Sequence, residues 1–282
     1  MFKLTKNKSQ LFNIIIFIFL IIIIIITCAE MDRKFNSKND KDNYTITYYY
    51  LESFPLLLLG CYNTIIRLTN PTHTHYFDSH KFKSDYILTQ NYKLIQQEAL
   101  NIYQEKKYLM NMKDLSESAF DRIDSVKNLW KVYVLKWYNK INDNARITCP
   151  NTCNLIEQCE DIHAAMFSII EPGKYIPPHK GPSTACLRYH LGLSIPIDKY
   201  NCYIIVNNEK FYWQEGESLI FDDTYVHSVY NNTTQPRIIL FIDILRPTTS
   251  VTTFITKFLL SQNNFNTFVK DVNDAVEKKQ TI

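Results

Sequence analysis

The sequence has little excess charge. It holds 31 Lys and Arg against 28 Asp and Glu, so the formal net charge of the 282 residues is +3. No stripe of Lys and Arg interleaves with aromatic residues, although that pattern is typical of proteins that bind nucleic acid. We therefore set DNA and RNA aside as partners.

Glycine is scarce, with five in the whole chain. Four of them, Gly173, Gly181, Gly192 and Gly216, fall after residue 160. Short strand-like runs alternate there with turn residues, and tight turns between strands favour glycine. No internal repeat is evident, which argues against a repeat architecture.

The cysteine cluster CPNTCNLIEQC (149–159) lacks the partners of a zinc site. No histidine follows it at zinc-finger spacing, and the chain has no second cysteine pair of that kind. In an oxidising compartment, a local disulfide between Cys153 and Cys159 is the favoured interpretation. Buried free thiols are the alternative.

One long apolar run, LFNIIIFIFLIIIIIITCA, occupies residues 11–29. As a helix it extends ~28 Å, close to the thickness of a bilayer core. Three lysines precede it, as in a signal peptide or signal anchor, and its length favours an uncleaved anchor. We therefore predict a single-pass membrane protein with a lumenal catalytic domain, in which the sequons at Asn43, Asn231 and Asn232 carry glycans.

Changes in composition and hydrophobic pattern divide the chain into five segments. We predict a short basic N-terminal tail (1–10), a transmembrane signal anchor (11–29), a stem or linker (30–83), a globular domain (84–248) and a C-terminal helical tail (249–282). Apolar residues recur at helical spacing from residue 84, and we interpret the mixed pattern of 121–143 as helical too.

Beyond residue 160 the chain is rich in β-branched and aromatic residues. Six short runs are separated by turn residues: AAMFSII, CLRYHLGLSIP, CYIIVNN, KFYWQEGESLIF, HSVYNN and PRIILFIDIL. Many short strands with regular turns indicate an antiparallel sandwich or barrel. The globular domain is therefore predicted to be mainly β, with supporting helices.

Three histidines lie in this β-rich part: His179 in PPHKGP, His190 in LRYHLGL and His227 in DDTYVHSV. Taken singly, each is more often a hydrogen-bonded core residue than a metal ligand. Arg237, ten residues after His227, lies inside an apolar strand. Because an unpaired guanidinium in a core costs several kcal/mol, Arg237 needs an anion, and a bound acid is one candidate.

Two histidines and a downstream arginine are the pattern of oxygenases that use Fe(II) and 2-oxoglutarate. Such sites normally add a carboxylate two residues after the first histidine. Here that position is Gly181, so the third ligand is missing.

Four motifs, in order, resemble the aspartyl/asparaginyl β-hydroxylase family: PGKYIPPHKGP (172–182), LRYHLGLSIP (187–196), YWQEGESLIFDDTYVHSVYNN (212–232) and RIILFIDILRP (237–247). The resemblance covers about residues 84–248. It implies a double-stranded β-helix, a jelly roll of cupin type, with flanking α-helices. It also implies Fe(II), 2-oxoglutarate and O2 as cofactor and cosubstrates.

The resemblance assigns the metal site. His179 and His227 would be the two protein ligands to Fe(II), with the small Gly181 where other oxygenases have an acid. Asp222 and Asp223 precede His227 in the FDD-x-x-x-H pattern and are not direct ligands in the family. We expect Asp223 to orient a histidine or an iron-bound water from the second shell, and Asp222 to close the turn.

The resemblance also assigns the cosubstrate site. Arg237, helped by Ser168, would bind the distal carboxylate of 2-oxoglutarate, and Arg188 and His190 would steady the carboxylate beside the keto group. Trp213 is interpreted as a core or sheet-face aromatic residue.

Three functions remain open. The leading hypothesis is a membrane-anchored dioxygenase that hydroxylates the β-carbon of Asp or Asn in a protein substrate, such as an EGF-like domain. A lipid acyl-chain hydroxylase of the same fold is the first alternative. The second is a non-catalytic β-sandwich that binds a metal or a small acid, against which the joint presence of both histidines, Arg188 and Arg237 argues.

Overall fold

The computed structural model describes residues 16–32, 34, 54–69, 74–116, 129–138, 140–249, 252–254, 256–257 and 267–280. The chain divides into two compact units, Met1–His73 and Thr74–Ile282.

The first unit contains a helix over residues 16–32 and a second helix, α1 (Phe54–Thr69). The Thr64 hydroxyl donates to the Cys28 carbonyl at 2.6 Å, so these two helices pack together. The predicted anchor begins at residue 11, outside the described ranges, and within those ranges no helix combines the length and apolarity needed to cross a bilayer. Helix α1 lies in the segment predicted as a stem, where the sequence has no clear period.

The second unit is built on two antiparallel sheets. The strands of the major sheet are β1 (Tyr76–Phe77), β2 (Met110–Asn111), β3 (Trp130–Trp137), β4 (Lys140–Ile141), β5 (Ile162–Ile170), β7 (Cys186–Ser194), β10 (Ser218–Phe221) and β12 (Arg237–Leu245). They are arranged in the order β1-β10-β7-β12-β5-β3-β2, and β4 pairs with β3. The minor sheet has the order β6-β11-β8-β9, formed by β6 (Tyr175–His179), β8 (Cys202–Val206), β9 (Glu209–Tyr212) and β11 (His227–Asn231). The two sheets pack as a β-sandwich with helices.

The outer face of the major sheet is covered by α2 (Lys83–Gln90), α3 (Tyr92–Glu105), α5 (Asp143–Thr148) and α6 (Pro150–Glu157). Helices α4 (Met112–Leu115) and α7 (Thr267–Lys279) instead contribute buried residues to a second core. Helix α3 buries Ile95, Ala99 and Ile102, which recur at helical spacing. These residues join a core with Leu240 of β12.

Strand β12 separates two cores. Ile238, Leu240 and Ile242 pack with the helices, whereas Ile239 and Phe241 pack into a second core between the sheets. Since side chains alternate along a strand, Arg237 and Asp243 also face the space between the sheets. That space holds the candidate site.

The helix predicted within 121–143 is wrong where the structure describes it. Trp130–Trp137 is a strand, paired with β2 on one side and β5 on the other. Its residues are buried on both faces, so it shows neither the alternation of a half-buried strand nor a helical stripe. A helix at Thr267–Lys279 lies within the segment 249–282.

The Cys153–Cys159 disulfide is not present, and all seven cysteines are free. Cys153 lies in α6 and Cys159 two residues after its end, and both are buried in the core against the helices. Residues six apart along a helix are roughly 9 Å apart, beyond the reach of a disulfide. Burial raises the pKa of Cys153 to about 12 and that of Cys159 to about 11.

The Asn231 side chain is fully buried, which removes this sequon from the surface. Its amide donates to the carbonyls of Ile170 and Gln235, both at 2.9 Å. Asn232 is exposed, and Asn43 lies outside the described residues.

Candidate active site

His179 and His227 are brought together by the pairing of β6 and β11. They face each other directly in the antiparallel register, and their ring centroids are 4.1 Å apart. The two histidines, 48 positions apart in sequence, thus share one site between the sheets.

A backbone carbonyl fixes each of these imidazoles. Nδ1 of His179 lies 2.8 Å from the Pro177 carbonyl, and Nδ1 of His227 lies 3.0 Å from the Tyr225 carbonyl. A carbonyl oxygen only accepts hydrogen bonds, so each Nδ1 carries the proton and each Nε2 keeps a lone pair. Metal-binding histidines are oriented in this way.

Burial keeps both imidazoles neutral. It lowers the pKa of His179 to about 3, with a further contribution from the neighbouring His227, and lowers the pKa of His227 to about 4. Near neutral pH both Nε2 atoms are therefore available as ligands. Imidazole nitrogen suits Fe(II) among other transition metals, so these residues fit the metal that the sequence implies.

The position of the absent acid is filled by another carboxylate. A Cβ atom at Gly181 would lie 2.3 Å from the carboxylate carbon of Asp223. The Gly181 N–H also donates to the Asp223 carbonyl at 2.6 Å. Among the described residues, no group of three or more His, Cys, Asp and Glu is arranged to hold a metal.

Arg188 lies between two carboxylates. Its Nη2 donates to Asp223 at 2.6 Å and its Nη1 donates to Asp243, while its guanidinium stacks on Phe241 at 4.2 Å from the ring centroid. Asp223 makes its charged contact with Arg188, and both histidine Nδ1 atoms are held by carbonyls. In this structure, then, Arg188 positions Asp223.

Asp222 closes the turn before His227, as expected. Its Oδ1 accepts from the Thr224 backbone N–H at 3.0 Å and from the Thr224 hydroxyl at 2.7 Å. Its Oδ2 accepts from Arg246 at 2.5 Å. This turn sets the start of β11 and with it the position of His227.

Arg237 is a buried cation without a carboxylate partner among the described residues. Only 2% of its surface is exposed, and its Nε has no hydrogen-bond partner there. The guanidinium stacks on Trp213, 4.7 Å from the ring centroid, and burial lowers the pKa of Arg237 to about 10. A bound anion would relieve this unfavourable burial.

His190 presents a second unpaired donor next to Trp213. The Trp213 indole N–H donates to His190 Nδ1 at 3.2 Å, so the proton of the neutral ring is on Nε2. That Nε2 is buried without a hydrogen-bond partner among the described residues. Burial, followed by the charge of Arg237, holds the pKa of His190 well below its usual value.

Ser168 lies on β5 opposite Ile239, two residues along β12 from Arg237. Its hydroxyl accepts from the Trp130 indole N–H at 3.1 Å. Arg237 and His190 offer unpaired donors that both adjoin Trp213, with Ser168 on the strand next to Arg237. This set fits a dicarboxylate such as 2-oxoglutarate.

Two site residues were missed by sequence reasoning. Trp213 contacts both His190 and Arg237, and nothing in its spacing indicated this. Asp243 faces inward and pairs with Arg188. The signal was available for Asp243, because it is six residues from Arg237 and must share its face.

The fold and the site define a class: an antiparallel β-sandwich that holds, between its sheets, a facing pair of histidines and a buried arginine without a carboxylate partner among the described residues. The sequence profile described as "Aspartyl/Asparaginyl beta-hydroxylase" matches residues 89–247. The chain belongs to the aspartyl/asparaginyl β-hydroxylase family, a family of hydroxylases for which Fe(II) and 2-oxoglutarate are implied.

Relatives within this family differ in their substrates. An ornithine lipid ester-linked acyl 2-hydroxylase from Rhizobium tropici is 33% identical over 184 residues, which is 65% of this chain and 65% of that protein. The aspartyl/asparaginyl beta-hydroxylase of Homo sapiens is 34% identical over 165 residues, 57% of this chain and 21% of that protein. The chain thus spans less than two thirds of either relative.

Among solved structures, a cupin domain of an XRE-family transcriptional regulator from Enterobacter cloacae aligns with a TM-score of 0.31 and 10% identity. The alignment covers 43% of this chain and 100% of that domain.

Proposed function

We propose that this protein is an Fe(II)- and 2-oxoglutarate-dependent hydroxylase that acts on the acyl chain of a lipid. The observation that carries the reaction class is the facing pair His179 and His227, each with Nδ1 bound to a carbonyl and Nε2 free. Bound Fe(II) would use O2 and 2-oxoglutarate to place one oxygen atom on a substrate carbon, with succinate and CO2 as the other products.

The residues of the chain bind and orient the metal and the cosubstrate. The Nε2 atoms of His179 and His227 hold the metal. Arg237 neutralises the distal carboxylate of 2-oxoglutarate, and Ser168 on the neighbouring strand assists. The His190 Nε2–H donates to the carboxylate beside the keto group.

Arg188 supports the metal site through Asp223. With Asp223 and Asp243 on its two sides, its guanidinium fixes the carboxylate that borders Gly181. When the metal is bound, Asp223 would orient a water there, in the role expected from its place before His227. The proposed double-stranded β-helix arrangement of the sandwich brings these groups together.

The surroundings of the histidines favour an uncharged substrate carbon. Phe221 lies 5.4 Å from the His227 ring, centroid to centroid, and Ile239 and Met166 belong to the core between the sheets. An Asp substrate would bring a carboxylate that needs a cation. Arg188 and Arg246 already hold carboxylates, and Arg237 is assigned to the cosubstrate.

The relative that acts on ornithine lipid supports the same choice, because this chain aligns with it over 184 residues. Hydroxylation of Asp or Asn in a protein, our leading hypothesis from the sequence, is the second candidate. It is favoured by the family's name and by the human relative.

One experiment separates these functions. The full chain is incubated with Fe(II), 2-oxoglutarate and O2, and either ornithine lipid or EGF-like peptides are added. Succinate release and a mass gain of one oxygen atom are then measured on each substrate. We expect both with the lipid and neither with the peptides.

Three other results would contradict the proposal in different ways. Oxygen on the peptides alone would assign the protein to peptidyl Asp/Asn hydroxylation. If folded protein that binds Fe(II) released succinate with neither the lipid nor the peptides, the result would favour a non-catalytic β-sandwich that binds a metal or a small acid. Unchanged lipid turnover by His227→Ala would refute the metal site. The N-terminal anchor and the lumenal location stay predictions.

A further inference from the structure

The minor sheet carries a row of tyrosines on its outer face. One comes from each strand, in direct register: Tyr175 of β6 faces Tyr230 of β11, Tyr230 faces Tyr203 of β8, and Tyr203 faces Tyr212 of β9. Neighbouring ring centroids are 4.8, 4.8 and 6.4 Å apart. Tyr200 extends the row, with its centroid 5.3 Å from that of Tyr212. We call these five residues the tyrosine row.

Three rings of the row, those of Tyr175, Tyr230 and Tyr203, turn their faces to one another. The Tyr203 and Tyr230 planes differ by 23° and the Tyr230 and Tyr175 planes by 35°. Tyr212 meets Tyr203 and Tyr200 edge to face. The stacked part of the row therefore presents ring edges and hydroxyls. The hydroxyls of Tyr203, Tyr212 and Tyr230 make no hydrogen bond to the described part of the protein.

The row is exposed on both flanks. Tyr175 is 43% exposed, Tyr212 41% and Tyr200 67%, and the nearby Ile197 is 90% exposed. Cross-strand aromatic pairs stabilise a sheet, which accounts for the half-buried Tyr203 and Tyr230. It does not account for the exposure of Tyr200 and Ile197.

Two lysines lie against rings of the row. Lys210 projects outward beside the row, with its Nζ 4.0 Å from the Tyr203 ring centroid, and Lys199 lies 5.8 Å from that of Tyr200. Among the outward side chains of these four described strands, Lys210 alone is charged. Glu209, the acidic neighbour, lies on the opposite face and pairs with His75.

We propose that the tyrosine row docks on an anionic lipid surface. Tyrosine favours the boundary between lipid and water, where the ring is buried and the hydroxyl stays hydrated or donates to headgroup oxygens. Lysines beside it are attracted to anionic headgroups, and Ile197 supplies an apolar contact. The proposal does not depend on the reaction proposed above.

The docking surface and the metal site share two strands. Tyr175 precedes His179 by four residues on β6, and Tyr230 follows His227 by three on β11. At ~3.3 Å per residue, the row crosses the sheet roughly 10–13 Å from the histidines. A bilayer held at the row is therefore close to the site.

The test uses tryptophan as a depth reporter in the full chain. Tyr200→Trp places an indole in the row, and Tyr86→Trp, at a position 71% exposed on α2, is the matched control. Each is mixed with phosphatidylcholine vesicles, with or without phosphatidylglycerol, that carry brominated acyl chains. Emission of the parent chain, whose Trp130, Trp137 and Trp213 are buried, is subtracted.

We expect bromine to quench the Tyr200→Trp signal in anionic vesicles and to leave the Tyr86→Trp signal unchanged. Equal quenching at both positions would mean attachment through another part of the chain and would overturn the proposal, as would the absence of quenching at Tyr200→Trp. Equal quenching in neutral vesicles would overturn the anionic preference.

A second variant reverses the charge at residue 210 and leaves the tyrosines unchanged. Lys210→Glu changes an exposed side chain and should lower the affinity of the row for anionic vesicles by at least ~5-fold, the factor for one lysine at such a surface. The effect should disappear at high salt. An unchanged affinity at low salt would overturn the electrostatic part of the proposal. Because none of these readouts measures turnover, their failure is distinct from failure of the proposed reaction.

Discussion

Arg188 donates to Asp223 at 2.6 Å and to Asp243 on its other side. The Asp223 carboxylate in turn fills the space where a side chain at residue 181 would lie. A glycine two residues after the first histidine is therefore a requirement of the packing, because Asp223 occupies that space.

Gly181→Ala should displace Asp223. The added Cβ would lie 2.3 Å from the carboxylate carbon, so Asp223 must move away from Arg188. We expect turnover to fall at least ~10-fold, as for mutations of residues that support metal ligands. Steady-state rates with circular dichroism as a check on folding measure this.

Gly173→Ala is the matched control. Gly173 has a φ of +77° and open space around its Cβ position, so alanine there should cost about 1 kcal/mol of stability and leave turnover unchanged. An equal loss of turnover in both variants would show that the effect at residue 181 is not specific to Asp223.

Asp243→Asn should weaken the hold on Arg188. The amide keeps the shape but loses the charge opposite a half-buried guanidinium, so the unfolding free energy should fall by about 1–3 kcal/mol. Urea denaturation measures it. Glu157→Gln removes the charge from the exposed pair with Arg146 and should change stability little. If Glu157→Gln lowered the unfolding free energy more than Asp243→Asn, the importance assigned to the Arg188–Asp243 pair would be contradicted.

Arg237→Met should separate stability from binding. The guanidinium is buried without a carboxylate partner among the described residues, so an apolar replacement should stabilise the ligand-free protein. Binding of 2-oxoglutarate should weaken about 10- to 150-fold, since a charged contact to the carboxylate contributes on the order of 1.5–3 kcal/mol. Anaerobic calorimetry and thermal melts measure the two effects. Unchanged binding would refute the assignment of Arg237.

His163 should destabilise the protein in acid. Burial, followed by the charge of Lys136, lowers its pKa to about 4, whereas the unfolded chain takes up this proton near pH ~6.5. The unfolded state therefore binds more protons between these values, and stability falls as pH drops through that window. At about pH 5 the loss from His163 is about 2 kcal/mol.

His163→Phe should remove that part of the acid loss. Phenylalanine can keep the edge contact with Tyr138, whose ring centroid is 4.5 Å away, but it cannot take up a proton. Unfolding free energies measured at pH 7 and pH 5 should therefore differ less in the variant than in the parent. If the unfolding free energy fell by the same amount between pH 7 and pH 5 in the parent and in the variant, the buried, neutral state of His163 would be contradicted.

The sequence predicted the site better than it predicted the outer elements. Strands β5 to β12 carry turn signals and β-rich runs, and the ordered motifs placed His179, His227 and Arg237 in one site. Strand β3 was missed because both of its faces are buried. Helix α1 was missed because its first residues, FPLLLLG (54–60), show no helical period. The free thiol of Cys153 was missed because a buried thiol and a disulfide-bonded cysteine look alike in a sequence.

Partners within the site depend on contacts that no motif spells out. That Arg188 holds Asp223 and Asp243 follows from the pairing of β7 with β12 and from the turn before β11. Trp213 reaches His190 and Arg237 from just beyond the end of β9, which spacing along the chain does not indicate. Register and side-chain packing supplied these facts.

The most direct measurement follows isotope-labelled O2 into an acyl chain while succinate is counted. The account predicts one labelled oxygen atom in the lipid for each succinate formed, strict dependence on 2-oxoglutarate, and loss of both products in His179→Ala and His227→Ala. Labelled lipid formed without 2-oxoglutarate, or by either histidine variant at the parent rate, would contradict it.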